Sequence, residues 1–356
     1  MSVAEQTAGQ TLPAPALERF AAELFAALGM HEGNARLCAR EIVLTNLWGI
    51  DSHGLLRLPV YAGRLAGGVV HANPRVTIES GRGALQRMDG DNGMGFIVGH
   101  EAMAHAIRLA REYGIGAVAV RNSNHFGAAG LYARVAAEAG MLGLAMTNVR
   151  PNLIAPGGAA PIAGNNPLAF SAPRRGGVPF LLDISMSAVA GGKLLHAIAS
   201  GEPIPEGWAT DREGRPTTDP RTGFEGFLMP VGGHKGLGLS EMVDILSGVL
   251  AGGAFQFAVE SMYDRPDLPS QTGHMMIALD PEAMGGREAF LDRMDAFAAA
   301  VHAAPMRTGT GRLPGEIEHE TRTHRLNAGI PLPATLVADL AALGATYGCT
   351  LPAPVP

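Results

Sequence analysis

Cysteine is almost missing from this chain: Cys38 and Cys349 stand far apart among 356 residues and in no CxxC spacing. That pattern argues against a disulfide framework or a zinc ribbon, and its natural setting is a reducing cytoplasm. Long apolar runs are lacking too, since none reaches the roughly 18 residues that span a bilayer. The opening MSVAEQTAGQ has neither a basic stretch nor an apolar core, so no signal peptide is expected. Basic residues are in the minority, 27 against 33 acidic ones for a net charge of -6, which argues against a nucleic-acid surface. No HExxH or other metal spacing occurs, so no metal site is expected. The sequence GxGxxG is also absent, and a standard dinucleotide-binding Rossmann unit is therefore unsupported.

What is present is a well-packed globular composition, 47% hydrophobic and 17% charged, long enough for two or three structural units. With 48 glycines and 25 prolines, many turns and close backbone approaches are required. Leu17, Phe20, Ala21, Leu24 and Phe25 share one helical face, with Gly29 as a stop signal, and further helices are predicted at 34–48 and 55–65. Short strands follow at 76–79 and 85–89, then a long helix lined by Val98, Ala102, Ala106, Leu109 and Tyr113. Strand, helix and strand alternate at 115–120, 128–139 and 141–147; strands recur at 168–171 and 180–183 before a helix at 188–199. Residues 201–226 read as a long polar loop, 236–250 as a buried helix, 275–279 as a strand, and 288–302 and 333–347 as helices. The fold class is mixed α/β. Helical residues 1–75 are expected to pack with 325–356 around an α/β core of 76–324.

Chemistry concentrates at a few turns. Asn122-Ser123-Asn124-His125-Phe126-Gly127 presents an imidazole at a strand-to-helix junction, where loops over a sheet meet ligands. Ser52-His53-Gly54 precedes Arg57 and Tyr61, which lie four apart and so on one helical face. Together they offer a proton donor, a guanidinium suited to a carboxylate and a phenol. An N-capping serine, a surface histidine and an ordinary helix arginine would give the same string. Asp183-Ile184-Ser185-Met186-Ser187 enters a predicted helix and could meet a phosphate or a ribose, or simply cap that helix. Gly232-Gly233-His234-Lys235-Gly236 lacks the spacing of a phosphate loop, yet Lys235 offers a point charge. In Arg312-Leu313-Pro314-Gly315-Glu316 the glutamate has no evident core role.

In this order, and with Gly164-Asn165-Asn166-Pro167 and Ile204-Pro205-Glu206-Gly207-Trp208 between them, these segments resemble the malate/L-lactate dehydrogenase family, which is distinct from the Rossmann-fold lactate and malate dehydrogenases. Its relatives include sulfolactate and ureidoglycolate dehydrogenases, diketogulonate reductases and ketimine reductases. The resemblance covers roughly residues 45–320. It implies a non-Rossmann fold binding NAD or NADP on a largely antiparallel sheet, and a homodimer with the active site near the subunit interface. It also implies cofactor contacts at Asp183, Ile184, Ser185, Lys235, Pro314, Gly315 and Glu316. Ser52, His53 and His125 fall in catalytic positions, and Arg57, Tyr61 and Arg150 in substrate positions. The chain departs from a common family pattern where Ile184-Ser185-Met186 replaces Met-Ala-Thr and where Asn165 replaces a threonine. Both departures touch the cofactor region and leave NAD against NADP open.

The reaction so implied is reversible hydride transfer between nicotinamide and C2 of a small 2-hydroxy or 2-oxo acid. Arg57 would anchor the carboxylate and either His53 or His125 would move the proton, a role suited to a group titrating near neutrality. Reduction of a cyclic ketimine such as Δ1-piperideine-2-carboxylate is the alternative on the same fold. A Ser52–His53 hydrolase is more remote, because consecutive residues seldom face each other well enough for proton transfer. A ligand-binding protein without turnover is a third reading.

Overall fold

The computed structural model describes residues 9–355. The signal-peptide reading falls on the first ten residues, of which 1–8 lie outside the described residues. The described chain opens with β1 (Gln10–Leu12), α1 (Ala14–Ala27) and α2 (Glu32–Leu47), then passes two 3-10 turns, Asp51–His53 and Leu55–Arg57, into α3 (Leu58–Ala66). Next come β2 (Thr77–Arg82), β3 (Leu85–Asp89), α4 (Gly95–Tyr113), β4 (Ile115–Ser123), α5 (Gly130–Glu138) and β5 (Leu142–Thr147). The middle contains β6 (Leu153–Ile154), β7 (Pro161–Ala163), β8 (Leu168–Ala172), β9 (Phe180–Ile184) and α6 (Gly191–Ser200). It continues through β10 (Ala209–Thr210), β11 (Pro216–Thr217), α7 (Pro220–Glu225), β12 (Phe227–Leu228) and α8 (His234–Asp244), which runs into a π turn, Ile245–Val249. The last stretch holds β13 (Thr272–Leu279), α9 (Arg287–His302), α10 (Glu316–Ala328), β14 (Ile330–Leu332) and α11 (Ala334–Tyr347).

Seven strands form the main sheet in the order β2-β3-β4-β13-β5-β8-β9. Only β3 and β4 run parallel; the other neighbours are antiparallel. The alternation of side chains along a strand divides the sheet into two faces. Val118, Val120, Ala145, Met276 and Ala278 point to the face that joins α4 and α5 in the main core. Ala119, Met146 and Met275 point the other way, against Val243 of α8 and Ala251 beyond the π turn. The strands at the sheet centre are thus covered on both sides. Helices come close because glycines allow it: a Cβ at Gly116 would lie 2.0 Å from the Ala106 carbonyl of α4, and one at Gly143 2.5 Å from that of Ala133 in α5.

The two chain ends meet directly, with β1 antiparallel to β14. Leu17, Phe20 and Leu24 of α1 share one continuous core with Leu336 and Leu340 of α11 and with the α4 face of the sheet. Two expectations need correction. Residues 201–226 are not a loop: β10, β11 and α7 lie there, and with β12, β6 and β7 the strands make a second sheet of five. Asp219 accepts from the Thr222 amide and caps α7, while Ala209 and Ile204 bury beside Leu194 of α6. The segment 236–250 is helical but buried on one side only: Leu237, Ser240, Val243 and Ser247 are buried, while Leu239, Met242, Ile245 and Val249 are exposed along the other. No helix among the described residues is long and apolar enough to cross a membrane.

Candidate active site

His125 stands just beyond the end of β4, and its neighbours on both sides are fixed. Asn122 leaves the strand in a left-handed conformation, φ 56°, which asparagine tolerates better than most residues. The Asn124 side chain is buried; its amide donates to Asn92 and to the Gly93 carbonyl, and its oxygen accepts from Arg64 and the Ser270 amide. On the other side Phe126 is held between two rings, Tyr132 and His274, each with its centroid 4.6 Å away. His274 is fully buried and bonded at both nitrogens, Nδ1 to Thr147 Oγ1 and Nε2 to Ser123 Oγ, each at 2.8 Å.

The other histidine arrives on the 3-10 turn Asp51–His53. Asp51 makes a two-pronged ion pair with Arg325 of α10, at 2.6 and 3.0 Å, and accepts from Asn46 of α2. Gly54 lets the turn press on α2, since a Cβ there would meet the Asn46 side chain at 2.0 Å. Ser52 Oγ lies 2.9 Å from His53 Nδ1. Arg57 donates from Nε to the Ser52 carbonyl at 2.7 Å, and among the described residues no carboxylate pairs with it. One turn later, on α3, the Tyr61 hydroxyl reaches His125 Nδ1 at 2.6 Å.

The two histidines therefore meet, although 72 positions separate them in the sequence: their rings stack with centroids 5.6 Å apart and 19° between planes. Both are half-buried. Burial, followed by Arg57, lowers the His53 pKa to about 4. Burial, then His53, Arg57, His274 and Arg64, hold His125 well below 6.5. Burial likewise lifts the Tyr61 phenol well above its ordinary value. Near neutral pH the pair is uncharged and Tyr61 keeps its proton. The Gly127 amide, 3.4 Å from His125 Nδ1, can only donate, which favours Nδ1 as acceptor and places the resting proton on Nε2. A hydroxyl can also accept, so Tyr61 can hold a proton on Nδ1 and leave Nε2 free, at the loss of the long Gly127 bond.

The segments proposed to face a cofactor lie along one edge of the fold. Asp183 stands next to last in β9, with Oδ2 accepting from the Gly130 amide at the start of α5, 2.7 Å away, and burial raises its pKa to about 6. Ile184 is exposed and Ser185 Oγ pairs with Ser187 Oγ. The Val231 amide donates to the Met186 carbonyl, joining this stretch to the turn that carries Lys235. Gly232 and Gly233 both have positive φ there, and Lys235 projects, exposed, from the first turn of α8. Gly192 of α6 comes within 3.7 Å of Ser52, counted from a Cβ built on it, so this edge reaches the histidine pair. The Pro314 carbonyl accepts from the Leu181 amide, and Gly315, φ +96°, packs on Leu181 with no room for a side chain.

Two candidates have partners within the chain. Glu316 accepts from the Leu313 amide, Arg174 and His302, which orders the Pro314–Gly315 turn. Arg150 donates to the Phe257 and Val259 carbonyls and to Glu260. Reading the sequence alone missed Arg64, buried with no carboxylate partner among the described residues, and the loop after residue 259. Asp51–Arg325 and His274 went unnoticed as well. Nothing in their immediate sequence marks them, because their partners are 100 or more positions away.

Over residues 12–341 the chain matches the family described as malate/L-lactate dehydrogenase. A malate dehydrogenase of Pyrococcus abyssi is 39% identical over 339 residues, covering 92% of each chain. A (2R)-3-sulfolactate dehydrogenase (NADP(+)) of Chromohalobacter salexigens is 37% identical, over 91% of this chain and 95% of its own. Among solved structures, a sulfolactate dehydrogenase from Methanocaldococcus jannaschii superposes with a TM-score of 0.91 at 32% identity, over 96% of this chain and 98% of that one.

Proposed function

The chain belongs to the malate/L-lactate dehydrogenase family and is an oxidoreductase acting on the CH–OH group of 2-hydroxy acids, and we propose that the His53–His125 pair is its reaction centre, with NAD or NADP as cofactor. The observation that carries this reading is the convergence of two stacked imidazoles, a phenol bonded to one of them and an arginine with no acid partner among the described residues. Arg57 binds the substrate carboxylate through its remaining guanidinium donors and so orients C2. When bound, the nicotinamide gives or takes the hydride at C2.

The protein's own part is the proton. In the reductive direction the substrate carboxylate offsets the charge of Arg57, one of the groups that depress His125. With a second proton taken up from solvent on Nδ1 as the carboxylate enters, His125 gives the one on Nε2 to the C2 oxygen and keeps the other on Nδ1 against the Tyr61 oxygen. In the oxidative direction the same neutral ring, with Nε2 free, takes the proton back. His53, oriented by Ser52, stabilises charge that builds on the C2 oxygen.

The edge formed by Asp183, Ile184, Ser185, Lys235, Pro314 and Gly315 holds the cofactor. The open first turn of α8 beside Lys235 is suited to a pyrophosphate, and Asp183 to a hydroxyl or amide. Glu316 acts there by ordering the turn before it, and Arg150 by fastening the loop beyond residue 256. The protein is a homodimer through the exposed apolar side of α8 and the π turn, and Phe255 and Phe257, exposed a little further along the chain, belong to the segment that leads to the loop beside Arg57. Two free, buried cysteines fit a cytoplasmic setting.

The test is loss of the near-ultraviolet absorbance of NADH and NADPH, taken separately, with pyruvate, oxaloacetate, sulfopyruvate, sugar-derived 2-oxo acids and Δ1-piperideine-2-carboxylate. Oxidation with a 2-oxo acid is expected. A rate highest with the cyclic imine would move the reaction to ketimine reduction. No oxidation, together with no calorimetric binding of either cofactor, would remove the proposal.

A further inference from the structure

The segment 260–270 is a closed loop with its ends tied: the Glu260 amide donates to the Ser270 carbonyl at 3.0 Å. Compact loops whose ends meet this way and whose own side chains hold them are frequently functional. Here the internal ties are plain. Ser261 Oγ accepts from the amides of Tyr263 and Asp264, the Ser261 carbonyl accepts from the Arg265 amide, and Arg265 pairs with Asp267 through two bonds of 3.2 and 3.1 Å. Two arginines fasten the neck from outside. Arg150 donates to the Val259 carbonyl and Glu260, and Arg64 donates to the Leu268 carbonyl and Ser270 Oγ. Arg64 is the same residue that holds Asn124 beside His125, so the loop and the histidine share one anchor.

Near its apex the loop faces the reaction centre. Met262, buried, closes a cavity of about 10 Å³ with Tyr61, Arg64, Asn124 and His125, room for about one water. Tyr263 lies next to it with the Arg57 guanidinium over its ring, 5.1 Å from the centroid. Among the described residues no acid holds Arg57; apart from the bond from Nε to Ser52, this ring is what the guanidinium rests against. A cation–π contact of this kind uses none of the guanidinium's N–H donors in hydrogen bonds and leaves those not bonded to Ser52 for a ligand.

We propose that Tyr263 is a positioning and specificity-determining residue, its ring holding the Arg57 guanidinium in place for the substrate carboxylate and its loop forming the substrate-side wall of the site. This rests on the function proposed above only for the identity of the substrate; the arrangement itself calls for a carboxylate. Three proteins are compared: wild type, Tyr263→Phe, which keeps the ring, and Tyr263→Leu, which removes it. The first readout is calorimetric binding of oxalate in the presence of saturating cofactor and in its absence, which needs no turnover. The second is KM against kcat for the best 2-oxo acid and for its uncharged methyl ester.

Tyr263→Leu is expected to weaken oxalate binding and raise the KM for the acid by about fivefold or more, with kcat changed by less than about threefold, while Tyr263→Phe stays within about twofold of wild type. The methyl ester, having no carboxylate for Arg57, is expected to show no difference among the three. Oxalate bound equally by wild type and Tyr263→Leu overturns the proposal, as does damage of equal size from Phe and Leu, or a wild type that binds no oxalate. If oxalate binds as expected but no substrate is turned over, the positioning role stands and the dehydrogenase reading of the site falls.

Discussion

At the level of single residues the chemistry depends on a histidine kept neutral until a ligand arrives. His125 is depressed by burial first, and next by His53 and Arg57. A group held below its ordinary value is unprotonated over a wider range, so in the free protein His125 is ready as a base from neutral pH down past 6.5. The kcat/KM for 2-hydroxy acid oxidation is therefore expected to stay level as pH falls through 6.5 and to decline only in more acid solution. His125→Ala should lower turnover by about a hundredfold or more and abolish that acid limb. A limb at 6.5 or above in the wild type would assign the proton to a group other than either histidine, and an acid limb unchanged in His125→Ala would assign it to His53. The sequence made both histidines visible, because each stands in a glycine-bracketed turn beside serine or asparagine. It could not say that they stack on each other or that Tyr61 serves His125 and not His53. Those are facts of three-dimensional closeness between residues 53, 61 and 125.

Among the elements, periodic ones were legible and polar ones were not. α1 and α4 bury a regular apolar stripe, and β4 and β13 are β-branched or apolar runs bounded by turns, so each declares itself. α10 buries no residue at all and reads EIEHETRTHRLNA, a helix polar all round with no stripe to detect. Its value lies in single contacts, Arg325 to Asp51 and Glu316 to Arg174 and His302. The two-residue strands of the second sheet are too short to show any alternation. How elements approach one another is encoded at a few glycines. Gly116→Ala would drive a methyl to 2.0 Å from the Ala106 carbonyl and force α4 off the sheet, at a cost of about 1–3 kcal/mol or more. Gly63, within α3, has nothing within 4 Å of where its Cβ would be, so Gly63→Ala should stabilise by about 0.5–1 kcal/mol through helix propensity. Thermal melts of the two variants are expected to shift in opposite directions. Equal shifts would mean that the α4–β4 contact yields without cost.

For the whole molecule, one surface is out of keeping with a chain that ends at its own boundary. Leu239, Met242, Ile245 and Val249 follow each other at intervals of three or four, so they share one side of α8 and the π turn, and all are exposed. The opposite side of the same segment, with Val243 and Leu246, packs on the sheet. An apolar side of this kind suits a covering partner, and under the proposed function a second copy of this chain is the cover that symmetry supplies most simply. The face is joined to the chemistry by covalent continuity. Leu250, Phe255 and Phe257 extend the patch, Arg150 grips the Phe257 carbonyl, and six residues later Tyr263 carries Arg57. A dimer would therefore brace the substrate loop from outside, and losing the dimer should reach the active site through that loop. Sedimentation velocity is expected to give twice the chain mass for the wild type. Ile245→Asp with Val249→Asp should weaken association by about a hundredfold or more, since buried charges without partners oppose it. The same double variant should raise the KM for the 2-oxo acid more than that for the cofactor, with the melting of the monomer little changed. A wild type that sediments as a monomer while turning over substrate would leave the apolar stripe without this explanation and would detach the loop from any partner.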